Sequence, residues 1–336
     1  RRELSAASVA RGGLGANLAA PVALARGALE ARRWFAADRP ACVAGFGGYP
    51  AFPALAAAWW MGLPRLIHEQ NGVLGRVNRL FAARVDAVAC GTWPVTNAPA
   101  GAPLRDLGNP VRDAALAAAA TPYAAPSPAP DAPEDGFAIG PAELLVFGGS
   151  QGASLFARAV PVALAALPEA QRARLRVVQQ ARPENVAAAR EAYARAGVAA
   201  EIAPFFDDLP ARMARAALVI ARAGASTVAE LGVIGRPAIL VPYAAAMDDH
   251  QTANARALAE AGAAVVIAEP AFEGATLSAE IARLLADPAR LTAMAKAAKA
   301  HGRPGAAAAL ADLVETLAQG ARGQDSADAP EGRPAP

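Results

Sequence analysis

Residues Leu144–Ser154 read Leu-Leu-Val-Phe-Gly-Gly-Ser-Gln-Gly-Ala-Ser, an apolar run that breaks into glycines just before a helical segment. A run without polar alternation suits a strand buried on both faces of a sheet. Gly148, Gly149 and Gly152 let the backbone come close to an anion. The N–H groups opening the next helix would point at that anion, and Ser150 adds a hydroxyl donor. The spacing is not GxGxxG, and a plain strand-to-helix turn is the other reading of these residues. Outward from this stretch the same alternation recurs at Leu175–Gln179, Ala200–Ala203, Ala217–Ala221, Ala238–Val241 and Ala264–Ile267. With Glu143–Phe147 these make six strands separated by helical segments, which is α/β with a complete doubly wound parallel sheet.

The first half of the chain is thinner. Candidate strands are Cys42–Phe46, Arg65–His68 and Asp86–Cys90, with helices near Pro21–Phe35, Pro53–Met61 and Leu74–Ala82. Pro40–Pro64 carries no charge, but its glycines and prolines break it into strand, turn and buried helix rather than a membrane span. Five prolines between Thr121 and Gly140 mark a linker. The expected division is a first domain over 1–118, a linker over 119–141 and a second domain over 142–305. A helix over 306–319 is placed to pack back on the first domain, and 320–336 reads as a disordered tail.

With 336 residues, 54% of them apolar and 18% charged, the chain is ample for two buried cores and excludes general disorder. Lys296 and Lys299 are the only lysines, so 30 of the 32 basic residues are Arg, scattered among 30 acids. That pattern argues against a nucleic-acid partner. Cys42 and Cys90 sit in apolar runs with no CxxC pair or His cluster, so they read as small buried residues rather than metal ligands.

Four further stretches carry chemistry. In Ala221–Leu231, a strand runs through Gly224 into Ala225-Ser226-Thr227-Val228-Ala229-Glu230, with Ser226 or Thr227 as the expected N-cap of a helix. Glu230 suits either two ribose hydroxyls or the helix dipole. Met247–Gln251 follows the strand Ala238–Val241 at the carboxyl edge of the sheet, where ligands bind, although Asp248 or Asp249 also suits a helix start. His68-Glu69-Gln70-Asn71 is a dense polar cluster at another strand end, and Gly108–Arg112 supplies Arg112 as a phosphate or base clamp. Gly45-Phe46-Gly47-Gly48-Tyr49 is a second glycine turn.

These residues resemble the MurG family. The match is carried, in order, by GFGGYP (45–50), HEQNGVLGRVNR (68–79), GNPVR (108–112), FGGSQGA (147–153), PFFDDL (204–209), RAGASTVAELGVIGRPAILVPY (222–243) and DDHQTANA (248–255). It implies a GT-B architecture, two Rossmann-like domains facing a cleft, and inverting transfer of N-acetylglucosamine from UDP-N-acetylglucosamine to lipid I, forming lipid II. Asn71, Arg112, Ser150, Phe206, Ala225 to Glu230 and Gln251 become donor contacts, with Glu230 on the ribose and Gln251 on the sugar hydroxyls. The turns at Gly148, Gly149, Gly152 and Gly224 hold phosphate, while Gly45, Gly47, Gly48 and Tyr49 lie on the acceptor side. His68 and Glu69 are the candidate general bases. The reading needs no metal or cofactor. It places the chain peripherally on the cytoplasmic face of the inner membrane, against anionic lipid, through Trp34 with Arg32 and Arg33 or Leu74 with Arg76 and Arg79.

One departure accompanies the match. The family pattern opens with a strand and a glycine-rich loop containing His, which has no counterpart here; Arg11–Gly15 corresponds to a later segment. The expectation is a first domain incomplete at its start, with weak donor binding and little turnover. Two other readings stay open, another GT-B enzyme (a glycolipid glycosyltransferase or a UDP-N-acetylglucosamine epimerase) and a non-catalytic nucleotide-sugar-binding remnant.

Overall fold

A computed structural model of the chain describes residues 14–126, 142–149 and 154–327. They form two compact units, unit 1 up to Gly108 together with the chain from Gly305 on, and unit 2 over Asn109–Pro304.

Unit 1 opens with α1 (Leu14–Ala37), then β1 (Val43–Gly45), α2 (Gly48–Trp60), β2 (Arg65–Glu69), α3 (Arg76–Phe81), β3 (Ala87–Cys90) and β4 (Leu104–Asp106). The strands form a parallel sheet in the order β1-β2-β3-β4. The uncharged stretch thus resolves into β1, a glycine turn and α2, as the glycine and proline pattern indicates. β4 is the strand that pattern reading misses, because Leu-Arg-Asp is short, largely exposed and carries a single apolar residue. Leu55, Ile67, Leu74, Phe81 and Val88 make the core on the α2–α3 face.

Unit 2 begins with α4 (Asp113–Ala118), β5 (Ala142–Phe147), α5 (Ser154–Ala165), α6 (Glu169–Arg172), β6 (Leu175–Gln180), α7 (Pro183–Arg195) and β7 (Ala199–Ala203). It continues through α8 (Leu209–Arg215), β8 (Leu218–Ala221), α9 (Ala225–Ile234), β9 (Ala238–Leu240), α10 (His250–Glu260), β10 (Ala264–Val266), α11 (Gly274–Leu285) and α12 (Pro288–His301). The six expected strands are all present, parallel, in the order β10-β9-β8-β5-β6-β7. Leu144, Leu145, Val146, Leu218, Val219 and Ile220 are fully buried, with one core cluster on each face of the sheet. Each such side chain contributes about 1.5–3 kcal/mol relative to exposure.

The boundary differs from the expected 118. Ala115 and Ala118 of α4 join the unit 2 core, where α4 packs on α8 and α9, so the division falls after Gly108. The first part of the expected linker is also docked: the Tyr123 hydroxyl donates to Ala217 O at 2.8 Å. The last helix, α13 (Ala306–Ala327), belongs to unit 1, where Leu310, Leu313, Val314 and Leu317 cover Leu66 and Ala89. It runs seven residues past Gly320, so the stretch read as a tail begins as helix.

Candidate active site

A cavity of about 490 Å³ opens in unit 2 at the carboxyl ends of β5, β8 and β9, the edge at which doubly wound sheets bind ligands. Gly148 and Gly149 border it, and Gly149 adopts φ +72, a left-handed conformation that a side chain strains. Ser150 and Gly152 lie outside the described residues. Across the cavity, Gly224 rather than Ser226 or Thr227 is the N-cap of α9, and no side chain caps the helix. Ala225, Ser226 and Thr227 therefore form its first turn. The backbone N–H groups there remain available to an anion, and Ser226 and Thr227 line the cavity.

Gln251 reaches the cavity from α10, its Oε1 accepting from the Tyr243 N–H at 3.0 Å. Asp249, at the N-terminus of α10, accepts from the Thr252 hydroxyl at 2.6 Å. Arg158 and Arg182 bring two guanidinium groups to the cavity wall. Among the described residues no group of three His, Cys, Asp or Glu side chains is gathered to hold a metal ion.

Arg222 and Glu269 are among the lining residues that the sequence alone does not single out. Arg222, at the exit of β8, forms a bidentate pair with Glu269 at 3.0 Å on each arm and also donates to Val241 O and Pro242 O. Glu269 accepts from the Ala244 N–H as well, at 2.8 Å. Burial alone would raise the Glu269 carboxyl, but the bonds from Arg222 and Ala244 overcome it and hold its pKa below the ordinary carboxylate range. The pair thereby fixes the loop over 241–244 and, through Tyr243, the amide of Gln251. The signal for Arg222 was an Arg directly after a buried strand. Glu269 gave none, since the two lie 47 positions apart.

Arg112 and Glu230, expected as separate donor contacts, meet each other. Arg112 Nε and Nη2 donate to the two Glu230 oxygens at 2.9 and 3.0 Å. Phe206 is buried in the core cluster of α4, α8 and α9, with the Arg212 guanidinium 4.2 Å above its ring. Its side chain does not line the cavity.

In unit 1, Glu69 is a loop organiser rather than the expected base. Its Oε1 accepts from the backbone and side-chain N–H of Asn71 at 3.1 and 3.2 Å; its Oε2 accepts from Gly75 N at 2.8 Å and Asn78 Nδ2 at 2.9 Å. With four donors on two oxygens, the carboxylate has no lone pair left for a substrate proton. His68 is likewise withdrawn from the surface at 1% exposure, with Nε2 facing Gly108 O at 3.4 Å and Nδ1 buried without a partner. Desolvation lowers its pKa, against the raising pull of the Gly108 carbonyl and Glu69. Asn71 is oriented by Glu69 in the loop after β2. Gly47 and Gly48 take φ +80 and +69 and open α2, again without a side-chain cap, while Tyr49 packs on the unit 1 core.

Residues 2–90 match the glycosyltransferase family 28 N-terminal domain and residues 143–310 the glycosyltransferase family 28 C-terminal domain. The chain is 51% identical over 295 residues to the UDP-N-acetylglucosamine--N-acetylmuramyl-(pentapeptide) pyrophosphoryl-undecaprenol N-acetylglucosamine transferase of Brucella abortus (strain S19), covering 88% of this chain and 75% of that protein. Among solved structures, Acinetobacter baumannii MurG aligns with a TM-score of 0.72 and 32% identity over 88% of this chain and 81% of that one. A putative UDP-N-acetylglucosamine 2-epimerase from Listeria monocytogenes shares the fold alone, at 17% identity and a TM-score of 0.59 over 93% of this chain and 83% of that one. Two parallel-sheet, Rossmann-like units with these likenesses are those of the GT-B fold, and the chain belongs to glycosyltransferase family 28, in its MurG family.

Proposed function

We propose that the chain transfers N-acetylglucosamine from UDP-N-acetylglucosamine to N-acetylmuramyl-(pentapeptide) pyrophosphoryl-undecaprenol, lipid I, with inversion at the sugar, forming lipid II. The observation that carries this reading is the uncapped first turn of α9, which shares one cavity with the Gly148–Gly149 turn and the amide of Gln251. The identity to the Brucella transferase, named for this reaction, supports it.

On this reading the first-turn N–H groups of α9 and the hydroxyls of Ser226 and Thr227 hold the donor diphosphate. As the acceptor oxygen attacks the anomeric carbon, its proton passing to solvent, the bond to UDP breaks and negative charge grows on the departing diphosphate. Fixed helix N–H groups stabilise it without rearranging. Gln251, held by Tyr243, orients the sugar hydroxyls. Glu230 binds the ribose hydroxyls after exchanging Arg112 for them, which frees that guanidinium for the nucleotide. In unit 1 the Gly47–Gly48 turn at the start of α2 takes the acceptor pyrophosphate.

The membrane contact we propose differs from the sequence expectation. Leu74 is in the core and Trp34 is half-buried, so neither heads an exposed patch. Trp59 and Trp60, at the end of α2, are 52% and 61% exposed. They carry Arg84 and Arg32 over their rings, an aromatic and cationic surface suited to anionic headgroups.

The test is incubation of the chain with UDP-N-acetylglucosamine and vesicles carrying lipid I. The expected product is a lipid heavier by one N-acetylhexosamine, with one UDP released per lipid. UDP release without a new lipid, or conversion of the donor to its 2-epimer, overturns the proposal.

A further inference from the structure

Both lysines of this arginine-rich chain, Lys296 and Lys299, border one cavity of about 360 Å³. It lies within unit 2 at the C-terminal ends of α4 and α9, a full helix length (about 15 Å) along α9 from the candidate active site. Pro122, Tyr123 and Ile234 give it an apolar wall, Arg236 is its third cation, and none of its lining residues is acidic.

Backbone carbonyls hold Arg236 and Lys299, and the Arg236 guanidinium also lies 5.5 Å from the centre of the Tyr123 ring. Arg236 is 1% exposed and donates to Ala214 O and Ile234 O at 3.0 Å and to Gly235 O and Thr121 O at 2.9 Å. Lys299 Nζ donates to Ala119 O at 2.8 Å and Val233 O at 2.9 Å, at the ends of α4 and α9. Helix C-termini offer about half a negative charge each, less than three formal positive charges require. Of the three ammonium hydrogens of Lys299, one remains beyond these two bonds. Lys296 sits three positions earlier on the same face of α12 and is exposed. Burial, then the nearby Arg236, pulls the Lys299 amine below the ordinary lysine range, as befits a cation lacking a counter-anion.

We propose that this cavity is a second small-molecule site, for an organic phosphate whose apolar body lies on Pro122, Tyr123 and Ile234 while its phosphate bridges Lys296 and Lys299. A phosphate monoester carries about −1.5 to −2 at neutral pH, matching two ammonium groups, and a cavity of this size accommodates a compact ring or branched chain beside it. The site is separate from the one assigned to the nucleotide sugar, and the inference does not depend on the transfer reaction.

The composition supplies a clean probe. In the full chain labelled with ¹³C only at lysine, two side-chain resonance sets report this cavity and none reports the candidate active site. Titration with phenyl phosphate at neutral pH is expected to shift both sets saturably and to raise the titration midpoint of Lys299. Phenol and inorganic phosphate should bind at least about tenfold more weakly, since each lacks one half of the recognition. Lys296→Gln, at an exposed position outside the backbone bonds, should weaken phenyl phosphate about tenfold while leaving the fold intact. Lysine signals unmoved at millimolar phenyl phosphate overturn the proposal. So does an equal response to inorganic phosphate, which marks an adventitious ion only, or unchanged affinity in the Lys296→Gln chain.

Discussion

Arg112 and Glu230 stand 118 positions apart and close a bidentate pair in which the arginine is 60% exposed and the carboxylate 7%. An ion pair with one partner so open to water is worth little, at most about 1 kcal/mol once solvent screening is allowed for. Exchanging the guanidinium for ribose hydroxyls is therefore inexpensive, and the carboxylate stays oriented until the nucleotide arrives. Arg112→Met should lower the thermal midpoint by only about 2–4 °C, whereas Glu230→Gln should weaken UDP binding about tenfold or more by halving the acceptor capacity at the ribose. Calorimetry on both variants checks the contrast, and equal losses of UDP affinity would show that the pair acts as one unit. His68 makes a separate prediction. Its folded pKa is lowered from an ordinary 6.5 chiefly by burial, so below that pH the unfolded chain binds the proton that the folded chain resists. Stability contributed by the neutral ring is complete above pH 6.5 and lost as pH falls beneath it. Thermal midpoints measured from pH 7.5 down to pH 5 should drop more steeply in the native chain than in His68→Gln, and parallel curves would exclude His68 as the source.

Helix α9 joins the two ends of unit 2, with donor-site residues in its first turns and the lysine cavity at its last, so its placement matters to both. Its seat against α12 depends on two facing glycines. A Cβ on Gly302 would stand 2.6 Å from the Gly232 carbonyl carbon and oxygen, backbone that has no side chain to swing aside. Gly302→Ala should cost about 1–3 kcal/mol through overpacking. It should also raise the KM for UDP-N-acetylglucosamine, because α9 must shift; a stability loss with unchanged KM would confine the strain to α12. At this scale the sequence was most readable where burial was most complete. The central strands of unit 2, Leu218–Ala221 and Ala238–Leu240, are covered on both faces and show as unbroken apolar runs, and the more open β6, β7 and β10 still read as short apolar stretches between helical segments. β4 could not be found, since an edge strand of Leu-Arg-Asp has no such pattern. Among the site residues, glycine turns and a polar cluster at strand ends were visible because local chemistry places them. The Arg222–Glu269 pair, the Arg112–Glu230 exchange and the engagement of Glu69 by four donors depend on distant segments converging, which residue order does not display. The choice of Gly224 over Ser226 as N-cap is of the same kind, set by how β8 leaves its sheet rather than by capping preference.

At the scale of the whole molecule, the question is how a chain with a net charge of +2 meets a lipid-linked acceptor. No helix among the described residues is long and apolar enough to cross a membrane, and a balance this close to neutral gives only a weak overall attraction to anionic lipid. The membrane contact proposed above is therefore a local one. Most exposed apolar side chains of unit 2, such as Val162, Phe205 and Met247, belong to different elements. In unit 1, by contrast, Trp59 and Trp60 are consecutive, each lies under an arginine, and Arg84 ties Trp59 to exposed Leu80 through a bond to its carbonyl. Tryptophan suits the interface because its ring is apolar and its N–H stays wet, and each arginine near an anionic surface adds about 1 kcal/mol. Two energetic parts should therefore separate experimentally. Sedimentation with phosphatidylglycerol vesicles should show binding that falls several-fold with rising salt, as the arginine part is screened, but does not vanish. The Trp59→Ser, Trp60→Ser double variant should lose most of the salt-resistant remainder, at least about tenfold in partition, while UDP binding in unit 2 stays at the native value. Partition unchanged by the double substitution would remove this patch from the membrane-facing surface.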